Sequence, residues 1–481
     1  MSMASSVAAA AIRAGAVGSV AVAIGLPLSA LQATTPRRWC WAVWALLLLP
    51  YLVPALLVGH AWRQLALALV HHPAANKALY SLLTMMKLVP VAALVLVFAP
   101  RPLSAQAIHC RRLAGGGRFV WDWSFLVRGR LGDCAVAFLP VFLLAFGEFE
   151  VASRMTVSTW TVVLFDQHAG GQMLSESLSL VMLPVVCELV VLAVVLVMLF
   201  GVRSAPVRVP PPAARLRRPT AWLCGLYLAC AAFVVGFVPL GLVAWRASVG
   251  AAQGPGETRR LLLDASLWRE LGAGAFFGAA AACCAYAAAV WVGRLRRGAL
   301  PAAVGLCVPG LLGPLVLALV AVAVFQAPLL RSVYDTPLPL VITLALLVTP
   351  FAVVLLIFLR RTDRSAALHG AELLAASPET TVRRARGRLL WELWLRPRFW
   401  VLFLLFCWGY SDLVAGAILA PAAMTTAPVR LYNLMHYGWS HRLSAMILVF
   451  VALPPVAGLA VWAGQRMVSW WLRPCPIRSG H

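Results

Sequence analysis

The stretch HGAELLAASPETTVRRARGRLLWELWLRPR, residues 369–398, lies between two long apolar segments, 338–359 and 399–420. A polar loop wedged between two segments that each suit a membrane crossing must face water, and its charge says on which side. Small and apolar residues (Gly370, Ala371, Leu373, Leu374, Ala375, Ala376) open it at helical spacing, and Arg383, Arg384, Arg386, Arg388, Arg396 and Arg398 follow. A short helix with a small-residue face can settle into a groove of another protein, while the arginines fix its register or hold anionic lipid.

The chain around this loop is apolar almost throughout. At 62% hydrophobic and 12% charged residues, with a mean hydropathy of +0.88, it is no soluble domain. Runs of about 20 apolar residues, enough to cross a hydrocarbon core, recur along its length. The N-terminal segment through Ala33 suits a cleaved signal or, with Arg37-Arg38 after it, a first span. Further spans are expected at 40–60, 78–99, 131–150, 175–200, 220–246, 267–293, 300–326, 338–359, 399–420 and 443–464. The expected fold is therefore all-α, a polytopic membrane helix bundle of about 11 (11–12) transmembrane helices.

Charge orients the bundle. The formal net charge is +24, yet the basic residues form short clusters between spans, the pattern of a membrane protein and not of a nucleic-acid binder. Alternating the spans places residues 32–39, 100–130, 201–219, 294–298, 360–398 and 466–481 on one side. Those segments hold 28 of the 40 Lys and Arg. That side is expected to be cytoplasmic, with the N-terminus outside and the C-terminus inside. Trp41, Trp44, Trp391, Trp394, Trp470 and Trp471 fit membrane-interface belts. The lipid bilayer is thus the first expected partner.

The chain also repeats itself. Residues 100–171 and 361–438 share an order of basic loop, span and outer segment. Ala107-Ile108-His109 answers Ala367-Leu368-His369, Arg-Gly-Arg-Leu occurs at 128–131 and 386–389, and Leu164-Phe165-Asp166 echoes Leu431-Tyr432-Asn433. Both loops lie on one side, so two parallel repeats are expected, related by an axis along the membrane normal. The Pro/Arg-rich segment 204–219 reads as the linker between a first domain, 1–203, and a second, 220–481.

These residues resemble a known family. The loop is similar to the EAA coupling loop of binding-protein-dependent ABC-transporter permeases, E-A-A, three residues, G, nine residues, I-x-L-P. Its Glu falls on His369, its alanines on Gly370 and Ala371, and its Gly on Ala375, followed by Ala376-Ser377-Pro378. The I-x-L-P falls on residues 385–388, where nothing matches. Trp408-Gly409-Tyr410-Ser411-Asp412, Leu419-Ala420-Pro421 and the run from Pro428 to Met435 resemble the end of a ferric-iron/thiamine-type permease domain. Gly25-Leu26-Pro27-Leu28 resembles the family's early helix. In the first half the motif's Glu falls on His109 and its Gly on Gly115, within Gly115-Gly116-Gly117, and Phe146-Gly147-Glu148-Phe149 resembles the family's GEFG.

The resemblance implies a permease subunit with two fused transmembrane domains in a bacterial inner membrane, multi-pass, importing a small solute such as ferric iron. It implies two partners: a cytosolic ABC ATPase dimer on the loops 104–128 and 366–390, and a periplasmic substrate-binding protein. Rocking of the two halves would alternate access to a path between the repeats. No Walker A, H-E-x-x-H or G-x-S-x-G constellation occurs, so the chain is expected to be no enzyme. No cofactor is expected on it, and ATP is used by the partner subunit. Because both loops carry His where the family has Glu, an alternative is a permease-like protein with altered or lost ATPase coupling. A secondary transporter or a polytopic membrane enzyme are further readings.

Charged residues inside spans cost about 2.5–3.5 kcal/mol each on insertion scales, and Lys87, Glu148, Glu150, Glu188 and Asp412 are the ones to explain. Glu148 and Asp412 occupy comparable places in the two halves. They line a translocation path, hold the halves together, or sit solvated or paired at the outer interface. Glu188, one turn beyond Pro184, is the third candidate path residue. His71-His72, His436 and His441 in outer loops read as solvated in preference to metal-binding. The eleven cysteines, Cys283-Cys284 among them, show no zinc or disulfide spacing and read as small packing residues.

Overall fold

The computed structural model describes residues 3–98, 119–201, 218–253, 264–295, 299–361, 369–371, 374, 380–436 and 441–471. Among these residues every regular element is helical. The chain packs as two compact units, Met1–Ser248 and Val249–His481. Most of the expected linker, 204–219, lies outside the described residues, and the helix beginning at Arg218 packs in the first unit.

The first unit runs through α1 (Met3–Thr34), a bent pair α2 (Arg37–Leu52) and α3 (Ala55–Ala68), and α4 (Pro73–Phe98). Then come α5 (Phe119–Phe146), a short α6 (Glu150–Arg154), α7 (Trp160–Ala169) and α8 (Leu174–Gly201). It closes with α9 (Arg218–Ala231) and α10 (Val238–Gln253), joined through the π-helical turn Ala232–Phe237. Helix α1 packs against α4 and α5, α2 against α4, and α3 against α6.

The second unit begins with α11 (Ala265–Arg294), then a bent pair α12 (Ala299–Leu311) and α13 (Pro314–Phe325), and α14 (Leu338–Arg361). A continuous helical run follows: α15 (Thr380–Leu390), the π-helical turn Trp391–Leu395 and α16 (Arg396–Ser411). Short α17 (Val414–Leu419), α18 (Ala427–His436) and α19 (His441–Trp471) complete it. Helix α11 packs against α14 and α16, α12 against α14, and α13 against α17. In one core cluster the small residues Ala282, Ala285 and Ala289 of α11 let it pack closely on Val348, Ala352 and Leu356 of α14 and Val401 and Leu405 of α16. Without a hydrophobic force between helices in lipid, close approach of small side chains is what gains dispersion energy.

Among the described residues eight helices are long and apolar enough to cross a membrane, or up to ten if each bent pair is one span. Three of the expected spans are not single regular helices, each for a physical reason. The expected span 40–60 breaks at Val53-Pro54, with α2 and α3 bent by 74°. Proline disfavours a helical conformation in the residue before it, and Val53 is extended at φ −66°, ψ 126°. The expected span 300–326 breaks by 104° at Gly313, whose φ of +82° suits glycine, with Pro314 opening α13. The expected span 399–420 is regular α-helix only from Arg396 to Ser411, because Asp412 is extended at φ −68°, ψ 127°.

Gly313→Val should lower the thermal midpoint in detergent by the equivalent of about 1–3 kcal/mol, the cost of holding a side-chain-bearing residue in a glycine-only backbone region. Gly15→Val, where a new Cβ meets nothing within 4 Å, should change it by far less. Equal effects would show that the break at 313 imposes no backbone constraint.

Candidate functional site

A helix broken inside an apolar layer exposes carbonyls at one end and N–H groups at the other, with no water to take them. At the α2–α3 break the protein supplies both partners. The Val53 N–H bonds Leu49 O at 3.1 Å, and the Leu57 and Val58 N–H groups reach Pro54 O at 3.1 and 3.2 Å. The ammonium of Lys87, on α4, donates to Tyr51 O at 3.0 Å, to Pro50 O at 3.4 Å, and to Val53 O. The Leu56 N–H donates to the Glu150 carboxylate at 2.9 Å. A cation thus meets the negative end of α2 and an anion the positive end of α3, the sense that the helix dipole favours.

Glu150 is the first residue of α6, and Glu148 caps that helix. Its carboxylate accepts from the Val151 N–H at 2.6 Å and the Ala152 N–H at 3.1 Å. It also accepts from the Tyr80 hydroxyl of α4 at 2.9 Å. Tyr80 is fully buried and Arg13 of α1 lies over its ring, 4.9 Å from the centroid. Lys87 is within electrostatic range of Glu150 and Glu148. The turn carrying both glutamates is tied down by Trp160 Nε1 to Phe146 O at 2.9 Å, Thr161 Oγ1 to Glu148 O at 2.9 Å, and Asn76 Nδ2 to Met155 O at 2.9 Å.

Asp412 stands at the corresponding step of the second unit and makes the corresponding bonds. Its Oδ2 accepts from the Ala415 N–H at 2.9 Å and the Gly416 N–H at 3.4 Å, capping α17. The spacing, three and four residues on, is that of Glu148. The rest of the polar network has no counterpart there. Lys87 lies three residues before Pro90; three residues before Pro350 of α14 stands Leu347. Glu150 lies two residues after its capping carboxylate; two after Asp412 stands Val414. The α12–α13 break instead packs tightly on α14, so that a Cβ added at Gly310 would collide with the Leu346 carbonyl.

Glu188 faces inward on α8, on the same buried stripe as Ser177 and Val181, and its carboxyl oxygens have no hydrogen-bond partner among the described residues. The loop residues fare differently. His109, Gly115, Gly116 and Gly117 lie outside the described residues, as do Ala375, Ala376 and Ser377. His369, Gly370 and Ala371 form a helical turn in which His369 is exposed and Ala371 is buried. A Cβ at Gly370 would meet nothing within 4 Å, so this position, like the exposed His369, is open to a partner. His71, His72 and His441 are exposed. Among the described residues no three His, Cys, Asp or Glu gather where a metal ion would sit.

A second cluster, absent from the expectations, clamps one end of the second unit. Arg430 of α18 donates to Glu270 at 2.6 Å and to the Ser266 hydroxyl at 2.8 Å. Arg442 reaches Asp264 at 3.3 Å. Asp264 caps α11 through the Ser266 hydroxyl at 2.7 Å and N–H at 2.9 Å. These bonds, with Arg430 and Arg442 beside it, hold its carboxyl below the ordinary carboxylate range. The partners are more than 150 positions apart in sequence, which is why no local signal marks them.

Chemically, the first-unit network positions backbone and charge; it carries no nucleophile–base pair. It places a lysine where free carbonyls would otherwise call for a bound cation, the use that broken membrane helices make of their ends.

Lys87→Met should be strongly destabilising, since each carbonyl left unpaired costs about 1–3 kcal/mol. Combined with Glu150→Gln, thermal denaturation of the two single variants and the double should reveal a coupling of about 0.5–3 kcal/mol. Strict additivity would mean that the two charges do not act on one break. Because the Asp264 pKa is lowered on folding, its contribution is fully present above the ordinary aspartate pKa of about 4 and is lost as pH falls through the lower folded value. Asp264→Asn should remove that acid-side component of the stability profile and leave the profile from pH 5 to 8 unchanged in shape. No protein-family model, curated protein or solved structure matches this chain.

Proposed function

We propose that this chain is the membrane-spanning permease subunit of an ABC-type importer, with two permease halves in one polypeptide. The observation that carries the reading is the shared order of elements: long helix, bent pair, long helix, a polar stretch of sequence, long helix, acid-capped short helix, outer helix, long helix. In this reading 1–201 and 265–471 are two parallel copies, and 218–253 is an extra helix between them. The polar segments 100–118 and 362–379 fall at one and the same step of that order, where coupling loops belong. With those loops inside, the basic residues lie mostly inside too, which supports a bacterial inner-membrane location with the C-terminus cytoplasmic.

A cytosolic ATPase dimer supplies the energy in this reading, and a periplasmic binding protein supplies a small solute. Ferric iron as cargo rests on the resemblance alone, and its ligation is assigned to the binding protein. The mid-helix breaks are where one copy can move against fixed neighbours. A second reading, permease-like with altered coupling or driven by an ion gradient, is favoured by two observations. Both loops carry His at the motif's Glu, and Lys87 with Glu150 places charges of both signs at one break.

Purification of the tagged full chain in mild detergent should recover a stoichiometric ABC ATPase. Gly370→Arg, which projects into open space, should abolish recovery while leaving the thermal midpoint of the chain unchanged. Absence of any ATPase, under conditions where a related permease keeps its own, would overturn the importer reading in favour of the second.

A further inference from the structure

At one end of the second unit the helices open a groove of about 480 Å³. Its wall is apolar: Leu359 of α14 and Pro397, Trp400, Val401 and Leu404 of α16. Two charged residues complete it, Glu392 and Arg396. Glu392 is already engaged by Arg388 at 3.1 Å. Arg396 has no hydrogen bond or ion pair among the described residues. The groove, open to the outside, therefore presents a guanidinium with no partner among the described residues beside an apolar wall.

The surroundings identify the medium. Trp394 and Phe399 beside the groove, and Trp470 and Trp471 at the end of α19, are exposed large aromatics. Trp391 Nε1 donates to Ser469 Oγ at 3.2 Å, which brings the end of α19 to the start of this helical run. Arg398 stacks on Trp394 at 3.6 Å, and Arg466 on Trp462 at 4.9 Å. Exposed tryptophans at the ends of long apolar helices mark the level of lipid headgroups. Along 380–398 six arginines face one carboxylate, Glu392. The local field selects anions.

We propose that this groove binds an anionic glycerophospholipid, its phosphate on Arg396 and one acyl chain along Pro397, Trp400, Val401 and Leu404. A guanidinium fork matches phosphate oxygens, and the apolar wall rewards the chain. Inorganic phosphate uses only the first half of the site. A zwitterionic lipid brings an ammonium into a field of arginines. The site would tie the helix that leaves the polar loop to the membrane surface, independently of what docks on the loop.

The test uses the delipidated full chain in neutral detergent, titrated with phosphatidylglycerol, chain-matched phosphatidylcholine or inorganic phosphate. Native mass spectrometry counts bound lipid and thermal denaturation reads stabilisation. Phosphatidylglycerol should bind and stabilise most. Arg396→Gln should weaken it about fivefold, the equivalent of about 1 kcal/mol per basic residue at a lipid surface, without affecting phosphatidylcholine. Trp400→Ala should weaken both lipids, Arg396→Lys should keep the anionic preference, and Arg331→Gln, on an exposed turn between the bent pair and α14, should change nothing. Equal binding of the two lipids, stabilisation by inorganic phosphate to the same degree, or an undiminished preference in Arg396→Gln would overturn the proposal. Should Arg396→Gln fail to fold, Trp400→Ala and the lipid comparison on the unaltered chain decide it.

Discussion

In hydrocarbon every backbone N–H and C=O must be satisfied by the protein itself, and this constraint governs the structure most visibly where its helices stop. Regular helix satisfies it without help. A break does not, and both units contain one. In the first, proline chemistry at Val53-Pro54 frees groups that Lys87 and Glu150 then take up. In the second, Gly313 and Pro314 turn the chain more sharply and the break packs directly on its neighbour. The same topological step is solved once with charge and once with close packing.

That difference sets how each break is held. A break held by an ammonium and a carboxylate is tied by direct hydrogen bonds to α4 and α6. The break in the second unit is tied to α14 through the close approach of Gly310 to the Leu346 carbonyl. Glu148 and Asp412, by contrast, do the same thing in both units: each caps the short helix after a long one. Their carboxylates are committed to backbone N–H groups of their own unit, so any part they play along a transport path is played through positioning that turn.

Much of the candidate site was legible, though not its wiring. Lys87, Glu148, Glu150 and Asp412 stood out because a charge within an apolar run demands a reason. What each one binds did not stand out, because Lys87 reaches carbonyls more than 30 positions away and Glu150 an N–H 94 positions away. Tyr80 carried no signal, being an ordinary aromatic until its hydroxyl meets Glu148. Ala371 shares a face with the docking residues by its spacing, yet its side chain is buried, while the adjacent Gly370 has open space beside it. Spacing sets which residues share a face, and only packing says which way that face turns.

The sequence by itself determined the class of molecule: apolar runs long enough for membrane helices, polar loops between them, and basic clusters confined to the loops. These follow from transfer free energies that each segment carries alone. It also marked the shared order of loop, span and outer segment. The tertiary structure decided where helices end, which charges close the breaks, and which groove is left open at the end of the second unit. Those depend on unpaired backbone groups finding partners across the fold, and a partner distant in sequence leaves no periodicity to read.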